Sequence, residues 1–513
     1  MTVFLTKFCH SMTLFGSWEF DEREKLTSER TETEAAVSPP QAPKAQLSTK
    51  QLTGIIAALA LAAFMMILNE TVLTVALPGI MSDMNITAAT GQWLTTGFLL
   101  TMSVVIPTTG FLLQRFEHRS LFMFAIVSFL VGTGIAVIAP SFAFLLLARI
   151  IQALGTAIIL PLLMTTTLTL VPVQKRGTIM GLNSIVIGVG PAIGPTVSGA
   201  IVHALSWHYV FALMLPIAAV VLVLGITFFK VPSNTNKIKV DAASVALSAL
   251  AFGFLVYGIS SIEHAASNPA LTIVSFAIGV VSLALFIKRQ ISLTREGREL
   301  LNLSAFKSRE FTFAIVMIMI AFGTLLGSLM IIPILLESGR GIDSLKIGMM
   351  LLPGGVAQII VSPIFGRIYD KHGPRPVLIP GAIMLAAGQW LYTTINAETE
   401  LLMFTLTHII FSIGLALLMT GLMSSAMSSL NPRLFGHGSA IFNTAQQLAG
   451  AIGTTIFVTI MSVVSKAKIT SGTEVTSGLF AGAHVSFIVG AILATLSIVF
   501  ALLIKGNQQS TGH

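Results

Sequence analysis

From residue 53 onward the chain alternates between long apolar stretches and short breaks that carry charge, proline or glycine. The run at 57–80, AALALAAFMMILNETVLTVALPGI, is typical. A stretch of about 20 apolar residues is what a helix needs to cross roughly 30 Å of hydrocarbon. Lipid offers no partner to a backbone N–H or C=O, so each such run must satisfy its own backbone as a helix. Fourteen spans are predicted, centred near residues 66, 101, 130, 157, 189, 219, 250, 279, 323, 356, 385, 414, 451 and 493. The spacing, about 32 residues per span, suits a ~22-residue helix and a short loop. The expected fold class is an all-α polytopic membrane protein.

Composition agrees with this reading. The chain has 513 residues, 54% of them hydrophobic and 10% charged, whereas soluble domains carry about 25% charged residues. The first 50 residues break the pattern, with seven acids between Glu19 and Glu34 followed by Pro39, Pro40 and Pro43. They read as a disordered tail rather than a signal peptide, since no apolar core with a small-residue cleavage site follows Met1. The single cysteine, Cys9, leaves no partner for a disulfide and no Cys-based metal cluster.

The net charge of +8 does not point to nucleic acid, because the basic residues are spread over short loops. If the N-terminus lies inside, cytoplasmic segments hold 24 of the 29 lysines and arginines. External loops keep only Arg340, Lys346, Lys466 and Lys468, and Arg149 falls within a span. This asymmetry follows the positive-inside rule and places both termini in the cytoplasm of a plasma-membrane protein.

Two pairs of segments repeat. GFLLQRFEHRSLF (110–122) after span 2 resembles GRIYDKHGPRPVL (366–378) after span 10, at an offset of 256. GTIMGLNSIVIGVGPAIG (177–194) in span 5 resembles GHGSAIFNTAQQLAGAIG (436–453) in span 13, at an offset of 259, so that Gly177 aligns with Gly436. Both pairs lie eight spans apart. The expected organisation is a tail at 1–50, a six-helix half at 51–232, an inserted helix pair and linker at 233–308, a second six-helix half at 309–505, and a short tail at 506–513. Repeated halves with a substrate site between them are the architecture of alternating-access transporters.

Of the 21 acidic residues, Glu70 alone falls deep inside an apolar run. An intramembrane charge is costly and reads as functional by default. If span 1 ends near 78, Glu70 lies ~12 Å from the outer end. Arg149 in span 4 lies ~10 Å from the same side. The arginine favours a carboxylate and the low dielectric favours the acid, a balance suited to exchanging a proton. A static Glu70–Arg149 pair that only positions helices is the alternative. Gln152, three residues from Arg149 on the same face, can hydrogen-bond either group. Polar side chains avoid lipid, which makes Gln92 and Trp93 in span 2, and Asn443, Gln446 and Gln447 in span 13, candidates for substrate binding. The 22 methionines and 33 phenylalanines suit a promiscuous apolar pocket, although most must serve the core or face lipid.

LNETVLTVALP (68–78), the loop at 110–122, LLLARIIQALGTA (145–157), GVGPAIGPTVSG (188–199), WHYVF (207–211) and FNTAQQLAGAIG (442–453) form an ordered set. With these motifs the chain resembles the fourteen-helix drug:proton antiporters of the major facilitator superfamily, and most of all the lincomycin-type multidrug exporters of Gram-positive bacteria. The resemblance covers about residues 53–505. It implies proton-coupled export of small amphiphilic molecules by a monomer in lipid, with no cofactor and no metal. It also implies that the span 5 motif, with Gly188, Gly190, Pro191, Gly194, Pro195 and Gly199, marks an exporter. The glycines allow close helix approach and the prolines bend the segment. A cytoplasmic gate is implied at Gly366, Asp370, Gly373 and Arg375, with Arg115 and Arg119 in the first copy. There the sequence departs from the family, since Gln114 stands where the acid is expected. It departs again in span 1, where the usual acid position is Asn69 and the acid is one residue later.

An enzyme would need a constellation of histidines or nucleophiles at one depth, or a phosphate loop. The ten histidines are scattered and neither an HxxxH nor a Walker pattern occurs. No soluble output domain suggests a sensor. Export of an endogenous metabolite or lipid-like compound by the same mechanism is the alternative to drug efflux.

Overall fold

The structure is a computed structural model, and it describes residues 48–86, 88–229, 241–260, 269–296 and 298–504. Fourteen long helices fill these residues, with no strand among them. They are α1 (Thr49–Asp83), α2 (Ala88–Arg115), α3 (His118–Val137), α4 (Phe142–Leu170), α5 (Arg176–Ala204) and α6 (Trp207–Phe228, interrupted at Leu213). There follow α7 (Ala242–Ser260), α8 (Pro269–Thr294), α9 (Arg309–Arg340), α10 (Ser344–His372) and α11 (Arg375–Thr393). The last three are α12 (Leu401–Ser428), α13 (Phe435–Thr470) and α14 (Val475–Leu503).

Twelve of them are long and apolar enough to cross a membrane among the described residues. The two outside that set are α5, several of whose side chains lie outside the described residues, and α11, where Pro376, Pro380, Gln389 and Trp390 dilute the apolar content. The structure also moves one boundary. Helix α1 continues past residue 78 to Asp83, which puts Glu70 about 20 Å from the helix end rather than 12 Å. The expected tail residues 1–47, the boundary at 232/233 and the end of the chain from 505 lie outside the described residues.

Helix ends follow local chemistry. Ser308 caps α9 by accepting from the Phe311 N–H, and Gly341 closes it at φ +65°. Gly373 ends α10 at φ +78°, a left-handed conformation that glycine adopts without strain.

The packing repeats along the chain. In the first six helices α2 packs on α4, α3 on α4 and α3 on α6. Eight positions later, α10 packs on α12, α11 on α12 and α11 on α14. The α1–α5 contact, made by Thr71 and Val72 against Gly190 and Ser198, has its counterpart in α9–α13. Two seams join the sets, α5–α10 and α2–α13, and they exchange under the same shift.

Helices α7 and α8 pack on each other, and α7 lies against α2 and α13. At their ends, Arg289 donates to both oxygens of Asp241 at 2.7 Å. Those two hydrogen bonds hold the Asp241 carboxyl well below the usual carboxylate range. Gln290 donates to Ser244 and accepts from the backbone of Leu300 and Leu301, tying the linker to the pair.

The end of the bundle carrying Arg115, Arg176 and Lys371 is the basic end. The opposite end is marked by the hydrogen bond from Trp207 Nε1 to Asp83, 3.1 Å.

Candidate functional site

Arg149 is fully buried, and its charge is met by dipoles. Its Nη1 donates to Gln152 Oε1 at 3.1 Å and to the Asn69 carbonyl at 3.3 Å, and its Nε to the Leu94 carbonyl at 3.5 Å. The guanidinium lies over the Phe98 ring, 4.2 Å from its centre, a placement that favours a desolvated cation. Gln152 Oε1 also accepts from Asn69 Nδ2 at 3.2 Å, and its Nε2 donates to Thr133 at 2.9 Å. Asn69, Arg149 and Gln152 thus form one buried network across α1, α2, α3 and α4.

Glu70 is not part of it. Among the described residues no ion pair and no hydrogen bond reaches its carboxyl, and Arg149 acts on it only through space. The static pairing of Glu70 with Arg149 is therefore not what the structure contains. One residue of helix turns the side chain by about 100°, so Asn69 points into the Arg149 network and Glu70 points away from it.

It points into a cavity of about 70 Å³ lined by Ile67, Glu70 and Thr71 of α1, Ile106 of α2, Leu160 of α4, Phe322 and Leu326 of α9, and Asn443, Gln446 and Gln447 of α13. Both sets of helices contribute, and Glu70 is the one ionisable side chain in this lining. A water needs about 10–15 Å³ and a drug-sized ligand about 300 Å³ or more. In this arrangement the cavity has room for a few waters, and a larger guest requires the helices to part.

Beside the cavity α5 lies close to α1. A Cβ on Gly190 would stand 2.6 Å from Ile67 Cγ2, and Gly194 packs on Thr71. Helix α5 runs as one helix through Pro191 and Pro195. The side chains of Gln92, Pro191 and Pro195, and the surroundings of Gly188, lie outside the described residues, and Gly199 is half-buried near the end of α5.

At the basic end the Asp370 carboxylate accepts from the N–H groups of Gly177 and Thr178 at 2.6 and 2.8 Å and from the Thr178 hydroxyl at 2.6 Å. It thereby caps the start of α5, where free N–H groups and the helix dipole favour an anion. Gly366 lets the backbones meet, since its Cβ would lie 2.6 Å from the Gly177 carbonyl. Gly373 makes the turn and Arg375 donates to the Ile504 carbonyl at 3.1 Å. Arg115 lies over Phe116 and Arg119 is exposed, so the structure brings neither to the Asp370 contact. Trp93 is also elsewhere: it is 42% exposed and stacks on Tyr257 of α7, away from the cavity.

Sequence reasoning missed Thr71, the apolar wall of the cavity, Thr178 and His437. Thr178 and His437 were reachable, because the offset of 259 aligns them.

A bundle of apolar helices with repeated packing, and a cavity lined by both repeats, defines a helical membrane transporter. The chain belongs to the Major Facilitator Superfamily, whose family model matches residues 59–454. It is 38% identical over 460 residues to the lincomycin resistance protein LmrB of Bacillus subtilis (strain 168), covering 88% of this chain and 95% of that one. It is 36% identical over 456 residues to the protein of the same name in Listeria monocytogenes, covering 88% and 96%. The crystal structure of the human organic anion transporter MFSD10 (TETRAN) superposes with a TM-score of 0.62 at 15% identity, over 90% of this chain and all of that one. That likeness concerns the fold.

Proposed function

We propose that this protein is a proton-coupled antiporter that exports amphiphilic drugs by alternating access, with fourteen membrane crossings and both termini in the cytoplasm. The observation that carries the reading is Glu70, an unpaired carboxyl in the cavity between the two sets of helices. A cavity that both sets line can face either side in turn as they rock. When it faces outward, a proton from outside neutralises Glu70, the cavity loses its charge, and a bound amphiphile leaves. When it faces inward, Glu70 releases the proton to the cytoplasm and the carboxylate with Asn443, Gln446 and Gln447 receives the next guest. The resistance names of the relatives support drugs as the cargo, and the glycines of α5 that pack on α1 support a tight seal beside the proton site.

The test is transport in proteoliposomes under an imposed pH gradient. Glu70→Gln is expected to abolish gradient-driven drug movement while drug binding survives. Full gradient-driven transport by the variant would remove the coupling role.

A further inference from the structure

The two repeated segments meet in space in the same way at both seams. At the α5–α10 seam a Cβ on Gly366 would lie 2.9 Å from Thr178 Cα. At the α2–α13 seam a Cβ on Gly110 would lie 3.1 Å from His437 Cα. The offsets of 256 and 259 map Gly110 onto Gly366, Gln114 onto Asp370 and Thr178 onto His437. Where Asp370 binds Thr178, Gln114 binds His437, with Nε2 to Nε2 at 2.6 Å. The missing acid of the first copy is thus replaced by a neutral amide, and its partner is an ionisable ring.

His437 is 2% exposed and its Nδ1 has no partner. The amide of Gln114 can turn to serve Nε2 as donor or acceptor. A protonated ring, however, carries a second N–H on Nδ1, which faces Gly110. The elements around it bring no acceptor to that nitrogen: α4 offers Thr165 to the neighbouring Ser439, and α12 offers Met427. The elements packed against α13 carry Arg115 at the end of α2, Arg176 over Phe435, Arg433 ahead of α13, Lys307 before α9, and Arg309 and Glu310 at the start of α9.

We propose that Gln114 and His437 form a second latch of the basic end, the counterpart of Asp370 on α5, and that protonation of His437 releases it. The closed seam accommodates the neutral ring, whereas water in the open seam satisfies the second N–H of the charged one. Acid on this side therefore favours opening of the α2–α13 seam. The inference rests on the alternating-access reading above.

The experiment uses the full chain in nanodiscs, with Cys9→Ser and spin labels at Phe116→Cys and Arg433→Cys, both exposed positions flanking the seam. In a Glu70→Gln background, which removes the other proton site, lowering the pH from about 8 to about 6, the range in which histidine titrates, is expected to raise the long-distance population severalfold. His437→Asn, which keeps a polar partner for Gln114, is expected to flatten that response. Gln114→Leu removes the partner and is expected to raise the population at every pH. An equal pH response in His437→Asn, or a distance that widens with added amphiphile but ignores pH, overturns the latch and leaves the transport reading standing. A distance fixed under both overturns both.

Discussion

Two neighbouring residues on α1 divide the chemistry. Asn69 is fully buried among Arg149 and Gln152, and Glu70 faces the cavity. A carboxylate at 69 would therefore fall on the guanidinium, and buried pairs of this kind hold their charge against desolvation only through close geometry. It would be locked where it cannot meet a guest. This gives a sharp expectation for moving the acid by one position. The double variant Asn69→Asp with Glu70→Gln should fold, retain its Arg149 network and fail to restore gradient-driven transport. The proteoliposome assay decides it: export at the level of the unaltered protein would mean that both positions see the cavity. The arginine is equally particular. Three acceptors and a ring face receive its planar head, an arrangement that a lysine point charge does not reproduce.

At the scale of the helix, the glycines of α5 decide how closely α1 can lie. Ile67 occupies the space that a side chain at 190 would need, and it also lines the cavity. Inserting a methyl group into a filled interface costs about 1–3 kcal/mol. Gly190→Ala is therefore expected to lower the melting temperature and transport together, and Ile67→Ala in the same chain is expected to restore stability. Absence of rescue would show that the two do not compete for space. The inserted pair is held differently, by a bidentate ion pair. Arg289 lowers the Asp241 carboxyl below its ordinary range, so its stabilisation is fully present above the unfolded value of about 4 and fades only as pH falls through the lower folded value. Asp241→Asn should destabilise the protein by the same amount at about pH 7 and about pH 5. A difference that disappears by pH 5 would contradict the clamp. How much of this was legible follows from what each feature requires. The spans are readable because lipid forces every crossing to be apolar. The face that Glu70 presents is not, because α1 is apolar all round and carries no polar stripe to show which side meets the cavity. Arg149 stood out as a charge in a span and Gln152 as its side-chain partner, yet its other two acceptors are the carbonyls of Leu94 and Asn69, and a backbone carbonyl leaves no trace in a sequence.

For the whole molecule, the two seams at the basic end are closed by contacts of unequal kind. Among the described residues, hydrogen bonds between the first six and the last six helices include those of Asp370 with Gly177 and Thr178, Gln114 with His437, Thr165 with Ser439 and Gln447 with the Met102 sulfur. The first is charge-assisted and points at a helix start, the strongest type available to such a seam. Replacing Asp370 by Asn keeps its size but leaves one oxygen for three donors and turns an amide N–H₂ toward backbone N–H groups. An unsatisfied buried donor costs about 1–3 kcal/mol, and each 1.4 kcal/mol is about tenfold in a population. The closed basic end should therefore lose roughly tenfold or more of its advantage. Ser362 reports this directly, because it is fully buried on α10 with its carbonyl against Gly181. A cysteine placed there in a Cys9→Ser chain should react with a maleimide severalfold faster in Asp370→Asn than without that change. Because the substitution acts on the seam and leaves Glu70 untouched, drug binding should persist while gradient-driven export falls, the protein resting open on the side where loading occurs. An unchanged labelling rate would mean that α5 and α10 stay together through their glycines alone, with the carboxylate only capping a helix that is already in place.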